Sequence, residues 1–408
     1  MWLQVKLAWR NVLRNTRRTI IAAIAIGVGL ASMIFVDALT IGMEHNMIHS
    51  ATASYMGHAQ VHNKQFTDTR EAASTINGLD TLLQQLRNDS LVKYASPRIL
   101  GQGMISSPAN MSAVQMIGVD PTVERYVSHI DDALVEGGYF ADTAGRAVII
   151  GSKLAERLEV ELGDRVVMTM AEATSGNLSQ QMLRVRGIYH FNSTELDQGM
   201  AFVRIDRARQ LLALPDQAHE IALVFNKEGL GRKTKHPFYD RYSYDGNLVE
   251  GWSEILPQLE AALQMSQFST YIVGLVLFAV VSLGIINTLF MSLHERMFEF
   301  GVMRAVGTQP IGMARLILLE AAALALISVL LGVILGWLVT SIVAQHGIDY
   351  SGIEFAGATF REPLYPVLQT DQFIRFPVMV FLFTLIVAVY PAWSAAKLNP
   401  ADAMRKSM

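Results

Sequence analysis

The chain has 408 residues, a net charge of −3, no cysteine, 51% hydrophobic residues and only 17% charged ones. This composition excludes a disordered chain, a disulfide-stapled secreted mini-protein and a basic nucleic-acid binder. Its charged fraction falls below the roughly 25% of an ordinary soluble domain, so part of the chain belongs in lipid.

Residues 1–18 read as a cytoplasmic interfacial helix: Trp2, Val5, Trp9, Val12 and Leu13 share one face and Lys6, Arg10 and Arg14 another, so a membrane-lipid surface is its expected partner. Residues 19–43 form the first apolar run, with Asp37 its one ionisable residue, and they exceed the roughly 20 residues a helix needs to cross hydrocarbon. Its length, and the place of Ala23-Ile24-Ala25 near its start, favour an uncleaved anchor over a signal peptide. Residues 268–293, 313–343 and 373–396 pass the same length test. The basic residues before the first span and after the last place both termini in the cytoplasm, so the loop 294–312 and the tail 397–408 are inside, while 44–267 and the short loop 344–372 are outside.

The segment 44–267 is long enough for domains with their own cores. Leu79, Leu82, Leu83 and Leu86 make a helical stripe within 78–88, as do Ile255, Leu259 and Leu263 within 252–265, and β-like runs lie beside both at 59–62, 93–99 and 221–225. Further β-like runs at 147–150, 165–170, 182–189 and 200–205, separated by turn residues such as Gly163-Asp164 and Gly176-Asn177, mark a β-rich insertion over about 100–215. The expected fold class is a membrane α-helical protein of four transmembrane helices, with a large extracytoplasmic α+β domain inserted between the first and second.

Catalytic signatures are missing: there is no G-x-x-x-x-G-K-[ST], H-E-x-x-H, G-x-S-x-G or C-x-x-C. His58 and His62 fall about 13 Å apart if their segment is a strand, so they read as exposed or interfacial histidines and no metal site is expected. Asp37 reads as an interfacial carboxylate near the outer boundary, and Glu320 as half of a structural pair with Arg315 or Arg304. Gly332 and Gly336 form a G-x-x-x-G that suits close helix approach.

The segment Asn287–Gly307, containing Glu295-Arg296, Glu299, Gly301, Arg304-Ala305 and Gly307, leads on to Glu320. It resembles the E-R-x-x-E-x-G-x-x-R-A-x-G pattern of ATP-binding-cassette permeases of the MacB, FtsX and lipoprotein-releasing superfamily. Leu7–Arg14 and Pro391–Arg405 are similar to the family's N-terminal helix and C-terminal signature. The resemblance implies a non-enzymatic permease subunit of the bacterial inner membrane that binds no cofactor itself. Cytoplasmic ATPase subunits would carry ATP and Mg, and a second permease, identical or different, would complete the complex. With only 18 residues ahead of the first span, the chain looks like a stand-alone permease rather than a MacB-type fusion.

Glu295, Arg296, Glu299, Gly301, Arg304 and Gly307 are the implied ATPase-coupling residues, on a short helix from about 295 to 306 that offers its charges to the partner and ends at Gly307. A lipid-anchored cargo, such as a lipoprotein, would lie in an apolar cavity between the first and second spans of paired subunits, lined by Met33, Phe35, Val36, Asp37, Ile285 and Ile286. The hairpin tip Ser175, Gly176 and Asn177, in the polar run 170–181, sits where lipoprotein-releasing permeases contact a periplasmic carrier; it is short and proline-free, and reads equally as an ordinary tip. A MacB-like efflux permease with a periplasmic adaptor and an FtsX-like signalling scaffold are the alternative expectations.

Overall fold

The computed structural model describes residues 2–140, 145–191, 193–349, 354–355, 358–359 and 363–397. They form two units, a helical one from 2–45, 264–349 and 363–397 and a mixed one from 46–263 with 354–355 and 358–359.

The helical unit contains four helices long and apolar enough to cross a membrane. The first-span helix is Thr16–Ala51, the second Pro257–Glu295, the third Pro310–His346 and the fourth Gln372–Ala396. They run past the apolar windows because a helical hydrogen-bond ladder continues where the side chains turn polar. The expected single helix over 252–265 is corrected by Pro257: a short helix Trp252–Ile255 stops before it, and the second-span helix starts on it. Proline lacks the N–H of an interior position and suits a first turn.

Ile26, Leu30, Ile34, Ile285, Leu289, Ala321, Leu324, Val380 and Ala388 make the bundle core. Outward-facing residues such as Val28, Leu275, Leu330 and Ile386 stay exposed, as lipid-facing positions do. Gly332 and Gly336 bring the third-span helix onto the first: a Cβ on Gly332 would lie 2.8 Å from the Gly27 carbonyl oxygen, and one on Gly336 3.2 Å from the Ala31 Cα. Asp37 is not an isolated charge. Its carboxylate accepts from Gln372 Nε2 at 2.8 Å and Arg375 Nη2 at 3.2 Å, tying the first span to the start of the fourth.

In the mixed unit, ten strands form one sheet: β1 Ala59–Asn63, β2 Val92–Ser106, β3 Met111–Val119, β4 Leu134–Gly137, β5 Ala147–Gly151, β6 Arg165–Ala171, β7 Leu178–Tyr189, β8 Met200–Arg204, β9 Glu220–Phe225 and β10 Asn247–Gly251. The order is β10-β1-β9-β2-β3-β8-β5-β7-β4, and β6 bridges β2 to β7. The strands β2-β3-β8-β5-β7-β6 therefore close on themselves. Ile105, Met116, Val148, Val166, Met168, Val185 and Val203 pack together in their core, capped by Leu154, Leu158, Ala208 and Leu211 of the helices Ser152–Leu158 and Ile205–Leu212. The other half, β10-β1-β9 with the start of β2, packs against the helix Leu79–Asn88 through Leu79, Leu82 and Leu86, and against Phe238 and Tyr242.

β2 belongs to both halves and Arg98 marks the changeover, paired in register with Glu220 of β9 on one side and with Val119 of β3 on the other. Arg98 is fully buried. Its guanidinium donates to Glu124 at 2.6 Å, to Glu220 at 2.5 Å and to the Tyr55 carbonyl at 2.7 Å. Tyr55 lies in the π-turn Thr52–Met56 that continues the first long helix.

The expectation of exposed or interfacial histidines at 58 and 62 is corrected for His62, which is only 5% exposed. β1 is paired on both edges, by β9 and β10, and the His62 ring stacks on Phe66 and meets Gln60 Oε1 at 2.9 Å. Among the described residues no cluster of His, Asp and Glu could hold a metal. Of the expected loop 344–372, only the strand pair Glu354–Phe355 with Ala358–Thr359 and the flanks are described. The tail beyond Lys397, with the whole Pro400–Arg405 part of the C-terminal signature, lies outside the described residues.

Candidate coupling site

The helix Trp2–Arg14 buries Ala8 and Val12 and turns Trp2, Trp9 and Leu13 outward, so Val12 leaves the apolar face it was expected to share with the tryptophans. Asn15 separates it from the first-span helix, and the Thr19 hydroxyl donates to the Val12 carbonyl at 2.6 Å across the bend. At the same end of this unit, Arg296 breaks the second-span helix with φ −110° and ψ 13°, and a nine-residue coupling helix Met297–Ala305 follows. Val306 caps it and Gly307 sits at φ +102°, a backbone region that side chains resist, before Pro310 opens the third span.

Arg296 is the centre of the site. Its Nη1 donates to Glu320 Oε1 at 2.7 Å, its Nε donates to Glu299 Oε2 at 2.9 Å, and its guanidinium lies 5.1 Å from the Phe300 ring centre. Asn11 Nδ2 donates to the same Glu320 oxygen at 2.6 Å, and Arg14 Nη2 donates to Glu299 Oε1 at 2.8 Å. Arg18 and Asn15 donate to Glu295 Oε2 at 3.1 and 3.4 Å. The hydrogen bond from Arg296, then that from Arg14, holds the Glu299 carboxyl below the ordinary carboxylate range. A polar cavity of about 30 Å³ lined by Asn11, Asn15, Arg18, Thr288, Ser292 and Glu320 lies inside this array.

One expectation is corrected here. The partner of Glu320 is Arg296, with Asn11, and not Arg315 or Arg304; Arg304 donates instead to the Thr308 carbonyl at 3.2 Å. The charges at Glu295, Arg296 and Glu299 each have a partner within the chain: Arg14 of the N-terminal helix pairs with Glu299 of the coupling helix, Arg18 of the first-span helix with Glu295, and Arg296 with Glu299 and Glu320. Gly301 is buried. The coupling helix and its cap carry an exposed apolar stripe: Phe298, Val302 and the cap residue Val306, four residues apart, are 52%, 40% and 83% exposed. That i, i+4, i+8 spacing was present in the sequence, whereas Asn11, Arg14 and Arg18 carried no local signal because their partners lie hundreds of residues away.

The residues expected to line a cargo cavity between paired subunits lie along the first and second spans of the single chain. Met33 and Ile285 are packed in the bundle core, Phe35, Val36 and Ile286 are half-buried, and the Asp37 carboxylate is taken by Gln372 and Arg375. Ser175, Gly176 and Asn177 do form the exposed turn between β6 and β7, where Ser175 Oγ binds Glu172 at 2.6 Å and Gly176 takes φ +70°.

Residues 19–228, just over half of the chain, match the MacB-like periplasmic core domain, and residues 271–400, which include the coupling helix and its partner Glu320, match the FtsX-like permease C-terminal domain. The chain belongs to the MacB/FtsX permease family. Among its relatives, the lipoprotein-releasing system transmembrane protein LolC of Neisseria meningitidis serogroup B is 22% identical over 95% of this chain and 94% of its own. The corresponding LolE of Haemophilus influenzae is 22% identical over 98% of each. The probable export ATP-binding/permease protein MacB of Pseudomonas entomophila is 23% identical over 98% of this chain but 58% of its own length. Within this family the chain is a permease of the ABC-transporter class, a multi-spanning membrane protein with a periplasmic-core domain.

Proposed function

We propose that this chain is an inner-membrane permease subunit that converts ATP-driven closure of separate cytoplasmic ATPase subunits into movement of its periplasmic domain, and that the movement releases a lipid-anchored cargo of the lipoprotein class. The observation that carries the mechanical part is the coupling helix, which presents an apolar stripe outward while Arg296, Glu299 and Glu320 fasten it to the third span and to the N-terminal helix. A stripe of this kind suits a groove on a soluble partner, and the fastening lets a push on the helix reach the spans without being lost in side-chain rearrangement. ATP and Mg would reside on the partner, both termini would face the cytoplasm, and a second permease, identical or different, would complete the cargo path.

The cargo class is supported by the near full-length similarity to permeases named for lipoprotein release. Export of a peptide or amphiphile through a periplasmic adaptor is the second reading, favoured by the match to the MacB-like core and to an export protein over nearly the whole chain. Purification of the chain with its co-encoded ATPase from native membranes, followed by mass spectrometry, separates the two. An acylated lipoprotein retained in the nucleotide-free complex supports release. An adaptor without lipoprotein supports export, and absence of any ATPase removes the coupling reading.

A further inference from the structure

The N-terminal helix has a face that the chain itself leaves unused. Trp2, Val5, Trp9 and Leu13 are exposed along one side, at 82%, 41%, 45% and 49%. Beside that stripe run Lys6 and Arg10, with Arg17 just past the helix end; all three are exposed and make no ion pair or hydrogen bond among the described residues. The helix Trp2–Arg14 carries no acidic residue that could neutralise them. Its opposite side is fully committed, through buried Ala8 and Val12 and through Asn11 to Glu320. Arg14 stands at the border: it continues the basic row of Lys6 and Arg10 at four-residue steps, yet its Nη2 is held by Glu299 of the coupling helix while its side chain remains 64% exposed.

We propose that this face is a binding surface for anionic phospholipid headgroups, and that headgroup charge adjusts the coupling helix through Arg14. Tryptophan rings favour the depth at which headgroups meet acyl chains, and a row of cations beside them meets phosphate at that depth. An array of unpaired cations without an acidic neighbour is complementary to a negative leaflet and attracts it strongly. A headgroup phosphate that reaches Arg14 competes with Glu299 for the same guanidinium, leaving Glu299 held by Arg296 alone. The lipid thus acts on the latch by exchanging one acceptor for another. This second half rests on the coupling role proposed above; the binding surface itself does not.

The test has two arms. In nanodiscs, with Trp337→Phe and Trp393→Phe removing the exposed span tryptophans, Trp2 and Trp9 report lipid contact while Trp252 stays shielded in the core of the mixed unit. Brominated phosphatidylglycerol should quench them at least about twofold more than brominated phosphatidylcholine at equal mole fraction, and Lys6→Gln with Arg10→Gln and Arg17→Gln should abolish the difference. Equal quenching by both lipids, or a preference that survives the triple substitution, would overturn the proposal. In the complex with the ATPase, hydrolysis should vary with the phosphatidylglycerol fraction in the wild type and become flat in Arg14→Gln. A rate insensitive to headgroup charge in the wild type would overturn the regulatory half. Failure to obtain an ATPase-bound complex would count against the coupling reading and leave the quenching result standing.

Discussion

Two arginine–glutamate clusters, one in each unit, use the same side chains to opposite ends. Arg98 is sealed, with its donors filled by Glu124, Glu220 and the Tyr55 carbonyl at the strand where the two halves of the sheet meet. Arg296 heads an open chain of pairs: it is 13% exposed and Glu320 8%, but the links run outward to Glu299 and Arg14, at 44% and 64%, beside a small polar cavity. Breaking a buried pair strands a charge and costs about 3–5 kcal/mol, whereas exchanging an exposed partner costs roughly 0–1 kcal/mol. The first cluster fixes geometry. The second can change partners, and it is the one joined to the coupling helix.

The largest effect should come from the sealed cluster. Arg98→Met leaves two buried carboxylates facing each other and should destabilise the mixed unit by about 3–5 kcal/mol, read from urea denaturation through the buried Trp252. A change within 1 kcal/mol would show that the carboxylates find other partners. Glu320→Ala removes the acceptor shared by Arg296 and Asn11 and should cost about 1.5–3 kcal/mol, seen as a lower midpoint of thermal unfolding in detergent. An unchanged midpoint would make Glu320 dispensable to the array.

A smaller and pH-dependent effect belongs to the sealed side. Burial holds His62 and His219 below the ordinary histidine value of 6.5, with Glu220 opposing the shift of His62, so both take up a proton less readily in the folded unit than in the unfolded chain. The unfolded chain takes up protons that the folded one refuses, so stability is fully present above about pH 6.5 and falls as pH drops below it. His62→Gln should flatten that slope by up to about 1.4 kcal/mol per pH unit. An unaltered slope would assign the acid sensitivity elsewhere. Least in stability, but decisive for function, is Glu299→Lys. It should change stability by less than about 1 kcal/mol while uncoupling ATP hydrolysis from cargo release, because it places a cation against both Arg14 and Arg296. Normal coupling in that variant would remove the latch from the mechanism.

What could be read from the sequence follows from the range of the signal. The four spans are long apolar runs, the stripe Leu79, Leu82 and Leu86 repeats at helical spacing, and the runs at 147–150 and 221–225 fall inside β5 and β9, since each of these signals is local. β3, β4 and β10 were missed: Met111–Val119 mixes exposed and buried residues without a strong apolar run, Leu134–Gly137 is short and mostly exposed at the sheet edge, and Asn247–Gly251 is short and gains its place only from its pairing with β1. The coupling residues were found as a pattern, without the partners they have inside the chain. Nothing near Arg296 announces that Glu320 and Asn11 will close over it, and a charge whose partner is distant in sequence looks like a charge awaiting another protein. His62 failed in the same way, because a strand paired on both edges cannot be told from an edge strand by its own five residues.

The central claim is that the coupling helix meets the ATPase with its apolar stripe while its charges hold it to its own chain. The absence of cysteine makes the protein a ready background for single and paired cysteine substitutions. In the assembled complex with a cysteine-walked ATPase, Val302→Cys should cross-link to the ATPase, and Arg14→Cys with Glu299→Cys should cross-link within the permease. Cross-linking of Glu299→Cys to the ATPase with none from Val302→Cys would contradict the account.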